Sequence, residues 1–141
     1  MPLPKPIPGL VVRYAFLWGH EADQKRTEGK DRPCVVVVAA VREVDGRIRV
    51  RVAPITHAPK AEEIGIEIPR KLKRHLKLDD QDSWIALHEM NEFLWPGHDL
   101  RPISSERPGV WFYGILPEDF FDHLKGKIRA VLERRIISRR P

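Results

Sequence analysis

The tightest constraint on this chain is the run Pro33-Cys34-Val35-Val36-Val37-Val38, followed by Asp45-Gly46 and then by Ile48, Val50 and Val52 alternating with Arg47, Arg49 and Arg51. A short β-branched run suits a buried strand, because branching at Cβ stiffens the side chain on a helix yet packs well on a pleated surface. Asp-Gly is a two-residue hairpin signal, since both residues tolerate the left-handed backbone such turns need. Residues 33–41 and 47–55 are therefore predicted to pair as antiparallel strands. Leu10 to Leu17 alternates more loosely, Val12, Tyr14 and Phe16 against Val11, Arg13 and Ala15, and reads as a strand with Arg13 on its wetter face.

The rest of the chain fits the same class. Residues 1–8, with proline at every second position, read as an extended arm. Gly19 to Asp31 is a long polar loop, and loops of that length in small domains tend to be functional or disordered. Ile64 to Ile68 alternates and ends at Pro69, which suits the first turn of a short helix through Leu76. Leu72, Leu76 and His75 would face inward, with Arg70, Lys71, Lys73 and Arg74 outside. Asp79 to Asp82 reads as a turn, Ser83 to Met90, Glu92 to Trp95 and Val110 to Ile115 as strands. Pro117, Glu118 and Asp119 open a helix in which Phe120, Phe121, Leu124, Ile128, Val131 and Leu132 recur at helical spacing. With no internal repeat and no linker, the prediction is one domain over residues 9–136, between the arm and a basic tail at 137–141. Its class is mainly β with helices: a small, strongly bent barrel or half-barrel with a C-terminal helix.

Composition bounds the function. The 141 residues suffice for one domain with a core of its own, and 42% hydrophobic with 32% charged content is ordinary for a soluble protein. Cys34 is the only cysteine, which excludes an internal disulfide, and its apolar setting reads as that of a buried filler. No apolar run reaches membrane-spanning length, and the early prolines exclude the apolar helix of a signal peptide, so a cytoplasmic location away from membranes is expected. The net charge of +5 is carried entirely by Asp122 to Pro141, which favours a polyanion or else marks a solvated helix face. The histidines lack metal-ligand spacing, so neither a metal nor another cofactor is expected.

Candidate site residues lie at strand ends. Arg32 sits where a charged loop meets the valine strand, held by rigid structure yet facing solvent, as a phosphate-gripping or catalytic cation needs to be. The strand through Val52 ends in Thr56 and His57, a hydroxyl and an imidazole able to move protons near neutral pH. His88, on an apolar strand, is either a second proton carrier or a packed residue, and Trp18 either stacks on a base or joins the core. Arg47, Arg49 and Arg51 form a solvent-facing stripe or a track for a nucleic-acid backbone.

Several landmarks in this order resemble the MazF/PemK (Kid) family of bacterial toxins, small ribonucleases paired with antitoxins. They are the glycine-led strand Gly9 to Phe16, the loop Glu28-Gly29-Lys30-Asp31, Arg32-Pro33 before the valines, Pro54-Ile55-Thr56, Leu78 to Ser83, and Gly114-Ile115-Leu116 before the last helix. The resemblance spans residues 9 to about 132 and implies the SH3-like barrel of the CcdB/MazF/Kid toxins. It also implies a homodimer, an antitoxin from an adjacent gene, and metal-independent cleavage of single-stranded RNA. In that chemistry the 2′-hydroxyl attacks its own phosphate, leaving a 2′,3′-cyclic phosphate and a 5′-hydroxyl. Arg32 matches the family's catalytic arginine and Thr56 its second essential residue. Glu28 lies one position from the loop glutamate. His57 replaces a common serine, and His88-Glu89 and Asn91 stand where relatives often carry an acidic-Gln pair and then arginine. Arg32, Thr56, His57, Glu28 and His88 are thus the expected catalytic set. Arg13, Trp18, His20, Lys25, Arg26, Lys30 and Asp31 are the expected RNA contacts.

Two other classes remain. Ile66 to Leu72 with Leu76 to Asp80 locally resembles the strand-Pro-helix-turn of AbrB-type DNA-binding regulators. A non-catalytic SH3-like binding module is the third, because a fold does not fix a function.

Overall fold

In the computed structural model, which describes residues 3–24, 29–57, 65–130 and 136–141, the sheet is organised around β1 (Leu10–Phe16), β2 (Lys30–Val41) and β3 (Ile48–Thr56). β1 and β2 run antiparallel with Tyr14 opposite Arg32, and β2 and β3 with Cys34 opposite Pro54. Both faces of these strands are covered. Val11, Val35, Val37, Ala53 and Ile55 enter one core; Val12, Tyr14, Phe16, Cys34, Val36, Val50 and Val52 enter the other, where Tyr14 stacks on Phe93 at 4.5 Å. Two-sided burial explains why valine follows valine from 35 to 37, where a half-exposed strand would alternate. Each such side chain contributes roughly 1.5–3 kcal/mol by leaving water. An irregularity between Val36 and Val38 then shifts the register, and β2 emerges into solvent with Val41 68% exposed.

The other strands are β4 (Gly65–Glu67), β5 (Trp84–Ala86), β6 (Glu89–Leu94), β7 (Leu100–Arg101), β8 (Phe112–Ile115) and β9 (Ile136–Arg139). The sheet order is β4-β5-β3-β2-β1-β7, with β6 also on β3, β8 also on β1, and β9 parallel to β6. Two central strands change partner part-way along. β3 pairs with β6 through Arg49 to Val52 and with β5 through Ile55 and Thr56. β1 pairs with β8 through Leu10 to Val12 and with β7 at Arg13 and Tyr14. The sheet bends at these exchanges. Among the described residues no ladder joins β4 to β7 or β8 to close it on itself.

Three helices complete the described residues: α1 (Gly19–Asp23), α2 (Arg70–His75) and α3 (Glu118–Ala130). α3 carries Glu118 and Asp119 in its first turn and Lys127 and Arg129 in its last, the arrangement its dipole favours. Its Leu124 and Ile128 bury beside Leu72 and Leu76 in the first core. None of the described helices is long and apolar enough to cross a membrane.

Several expectations need correction. The Gly19–Asp31 segment is not all loop: it contains α1, and β2 starts at Lys30. The Asp45-Gly46 turn is a four-residue loop, in which Arg42 N–H donates to Arg47 O and Gly46, at φ 72°, donates to Arg42 O. Arg42 and the Arg47 N–H both donate to the Asp45 carboxylate and pull its pKa down to about 2. Ser83–Met90 breaks at Leu87 and His88, because the two halves serve different partners, β4 and β3 before the break and β3 and β9 after it. On α2 the inward face is shifted: Lys73 lies inside, 3% exposed, and His75 is exposed. The basic tail is mostly β9, where Arg139 reaches Glu92 at 3.4 Å and Arg140 reaches Asp99 at 2.8 Å.

Candidate functional site: a fork between two strands

The β2–β3 ladder ends at the pair Cys34 and Pro54. Neither Pro33 nor Pro54 has an N–H to donate, so the ladder lacks donors there. Beyond it β2 stays with β1, Asp31 opposite Ala15, while β3 turns to β5, Thr56 opposite Trp84. The two strand ends part. Between them lies a hollow of about 270 Å³ bounded by Asp31, Arg32 and Pro33 on one side and by Ile55 and His57 on the other. Arg13, Tyr113, Lys77, Leu78, Asp79 and Ser83 supply the remaining wall.

Alternation along a strand divides the expected site. Arg13, Asp31 and His57 line the hollow. Arg32, next to Asp31, also lines it and carries its guanidinium to within 5.5 Å of the Trp18 ring centroid. Arg32 Nε is buried without a hydrogen-bond partner, and among the described residues no carboxylate pairs with this arginine. Thr56 is 7% exposed and does not line the hollow.

The floor and wall are charged. Asp31 stands between Arg13 at 3.9 Å and Arg101 at 3.7 Å, and Arg13 also donates to Ile103 O at 3.1 Å. Burial pushes the Tyr113 hydroxyl pKa up, against the opposing pull of Arg13. α2 ends with Leu78 N–H donating to Lys73 O and Lys77 N–H to Arg74 O, a closure that leaves Lys77 left-handed at φ 56°. Glycine is the usual residue there, and a lysine holding that conformation is strained by about 1 kcal/mol.

His57 is clamped from both ring nitrogens. Nε2 lies 2.8 Å from Asp79 Oδ2, and Nδ1 lies 2.7 Å from Asp82 O and 3.1 Å from Ser83 Oγ. The other Asp79 oxygen accepts from the buried Lys73 ammonium at 2.9 Å. Burial raises the Asp79 pKa, but the hydrogen bonds from Lys73 and His57 outweigh it and hold the carboxyl below its ordinary value. The result is a rigid chain Lys73–Asp79–His57 along the wall.

Trp18 is fixed through its backbone. Asn91, fully buried, accepts from Leu17 N–H at 2.9 Å and donates to Leu17 O at 2.8 Å. Glu21 accepts from Trp18 N–H at 3.1 Å, and Glu89 from Gly19 N–H at 2.6 Å. His88 belongs to this side, its ring 6.1 Å from Trp18 and its Nε2 3.5 Å from Glu89, with Nδ1 buried and unpartnered. It does not line the hollow. His20 and Lys30 are exposed near these elements, while Lys25, Arg26 and Glu28 lie outside the described residues.

Sequence reasoning missed Lys73, Lys77, Asp79 and Tyr113. Lys73 sits beside the inward Leu72 and Leu76, and a basic residue on that flank of a short helix with Asp79 six positions on was the available signal. Among the described residues no group of three or more His, Cys, Asp or Glu side chains could hold a metal ion. Compared with protein-family models, with curated proteins and with solved structures, the chain matches none.

Proposed function

We propose that this chain is a metal-independent endoribonuclease of the MazF/PemK kind, an SH3-like toxin whose substrate is single-stranded RNA. The observation that carries the reading is Arg32: a cation on a central strand, lining a hollow between parted strands, with no carboxylate partner among the described residues. A guanidinium left in that condition suits a phosphate, which its fork can grip while negative charge develops. Asp31, in the same hollow, accepts the proton of the attacking 2′-hydroxyl. As the bond from 2′-oxygen to phosphorus forms and that to the 5′-oxygen breaks, His57 gives the leaving oxygen its Nδ1 proton, exchanging Asp82 O and Ser83 Oγ for that oxygen while Nε2 stays on Asp79 and Asp79 on Lys73. Arg32 and Lys77 bear the charge on the phosphorane oxygens, and Trp18 offers its ring to a flanking base. Two copies pair, and an antitoxin silences the protein by covering the fork.

The AbrB-like reading has less support, because Ile66, Ile68, Leu72 and Leu76 are built into the main core with the strands. Single-turnover cleavage of RNA in EDTA, with sequencing of the fragment ends, tests the proposal. Arg32→Ala should lower the rate by ~10²–10³-fold with the fold intact. Near-normal cleavage by the folded variant removes Arg32 from the mechanism, and failure of the wild type to cut any RNA rejects the reading.

A further inference from the structure

A second hollow adjoins the fork. It measures about 140 Å³, is lined by Arg70, Lys73, Arg74, Leu78, Asp79 and Asp80, and shares Leu78 and Asp79 with the first. The two are therefore neighbours across one ridge, with Lys77 on the fork side. Arg70 and Arg74, four residues apart, stand on one face of α2. Arg74 has no carboxylate partner among the described residues, and Arg70 holds only Asp82, at 3.4 Å, in a pair whose side chains are 76% and 56% exposed. Such exposed pairs are weak and exchange readily for a better anion. Asp79 is already paired with Lys73, so the charges opposing the two arginines are Asp80 in the hollow and Asp82 in its weak, exposed pair with Arg70.

We propose that Arg70 and Arg74 form a phosphate track that carries single-stranded RNA away from the fork across α2. This rests on the ribonuclease reading and extends it by naming where the strand runs. No aromatic ring lines the second hollow, so it offers no stacking platform and holds the backbone without regard to base. The fork selects the cleavage point; the track adds affinity for longer RNA.

The test uses the full chain and fluorescein-labelled 2′-O-methyl RNA of mixed sequence, which lacks the nucleophile, as a pentamer and a pentadecamer. Binding is followed by anisotropy over a salt series for wild type, Arg70→Gln/Arg74→Gln and the milder Arg74→Gln, with thermal unfolding to verify folding. The double variant should weaken pentadecamer binding about tenfold and flatten its salt slope by about 1.4, since each lost phosphate contact on a single strand removes about 0.7. Pentamer binding should not change. An unchanged pentadecamer slope overturns the track. Equal loss on both lengths also overturns it, because the contacts would then lie inside the fork. A larger loss on duplex DNA of the same length overturns the assignment to single-stranded RNA. Wild-type protein that binds neither oligomer overturns the track together with the reading on which it rests.

Discussion

Removing the Asp79 carboxylate should damage the protein far more than removing the lysine it holds. The Lys73 side chain is 4% exposed and that of Asp79 51%, so the pair has one dry end and one wet end. Asp79→Ala leaves a buried ammonium without its carboxylate and takes away the Nε2 partner of His57. Breaking a fully buried pair costs ~3–5 kcal/mol and an exposed one ~0–1, so this half-wet pair should cost about 2 kcal/mol. Lys73→Met leaves only a carboxylate that water reaches and fills the same space with an apolar chain, for less than about 1 kcal/mol. The double variant should recover part of the Asp79→Ala loss, giving a coupling of about 1 kcal/mol. Urea unfolding at neutral pH measures all four corners, and Asp79→Ala should also melt roughly 8 °C lower. The sign with pH follows from the depressed carboxyl: its contribution is present above the unfolded value near ~4 and fades as pH falls through the lower folded value. The gap between wild type and Asp79→Ala should therefore close in acid. If Lys73→Met is as harmful as Asp79→Ala, if the two losses simply add, or if the gap ignores pH, the chain Lys73–Asp79–His57 does not hold the wall.

Three shorter predictions concern single positions. Lys77→Gly should raise stability by about 1 kcal/mol by relieving the left-handed backbone while weakening RNA binding, and a variant that loses stability refutes the strain argument. Gly29→Ala should destabilise by about 2–3 kcal/mol in urea unfolding, because its Cβ would lie 2.1 Å from Phe16 O where β1 and β2 begin to pair. Trp18→Ala should weaken single-stranded RNA binding by ~1–3 kcal/mol with Trp18→Phe in between, measured by anisotropy; equal binding by all three removes the stacking role.

Much of the frame was legible because burial leaves a periodic trace. The unbroken valine run reports a strand buried on both faces, while the alternation across Ile48 to Val52 and the helical spacing of Phe120 to Ile128 each report one face turned to the core. β9 left no such trace: Ile136 and Ile137 are too few to alternate, and the arginines after them read as solvated. Arg32 and His57 were legible as strand-end residues. Their division between two sides of the fork was not, since it depends on where the β2–β3 ladder stops, and that is set by Pro54 standing opposite Cys34 with Pro33 next along β2. Asn91 and Glu89 drew notice only as departures from a family pattern, yet they hold the backbone that presents Trp18.

β9 also changes what the C-terminal charge is for. Among the described strands it touches only β6, so it is an outer margin of the sheet, where unpaired backbone groups invite another chain to add a strand. Arginine side chains along such a margin discourage that addition, since an incoming strand would have to bury or displace their charge. Arg139, 86% exposed, stands on that margin, and Arg140 is pinned inward on Asp99. The sheet thus ends in a strand of its own chain whose charged rim resists the edge-to-edge addition of another strand.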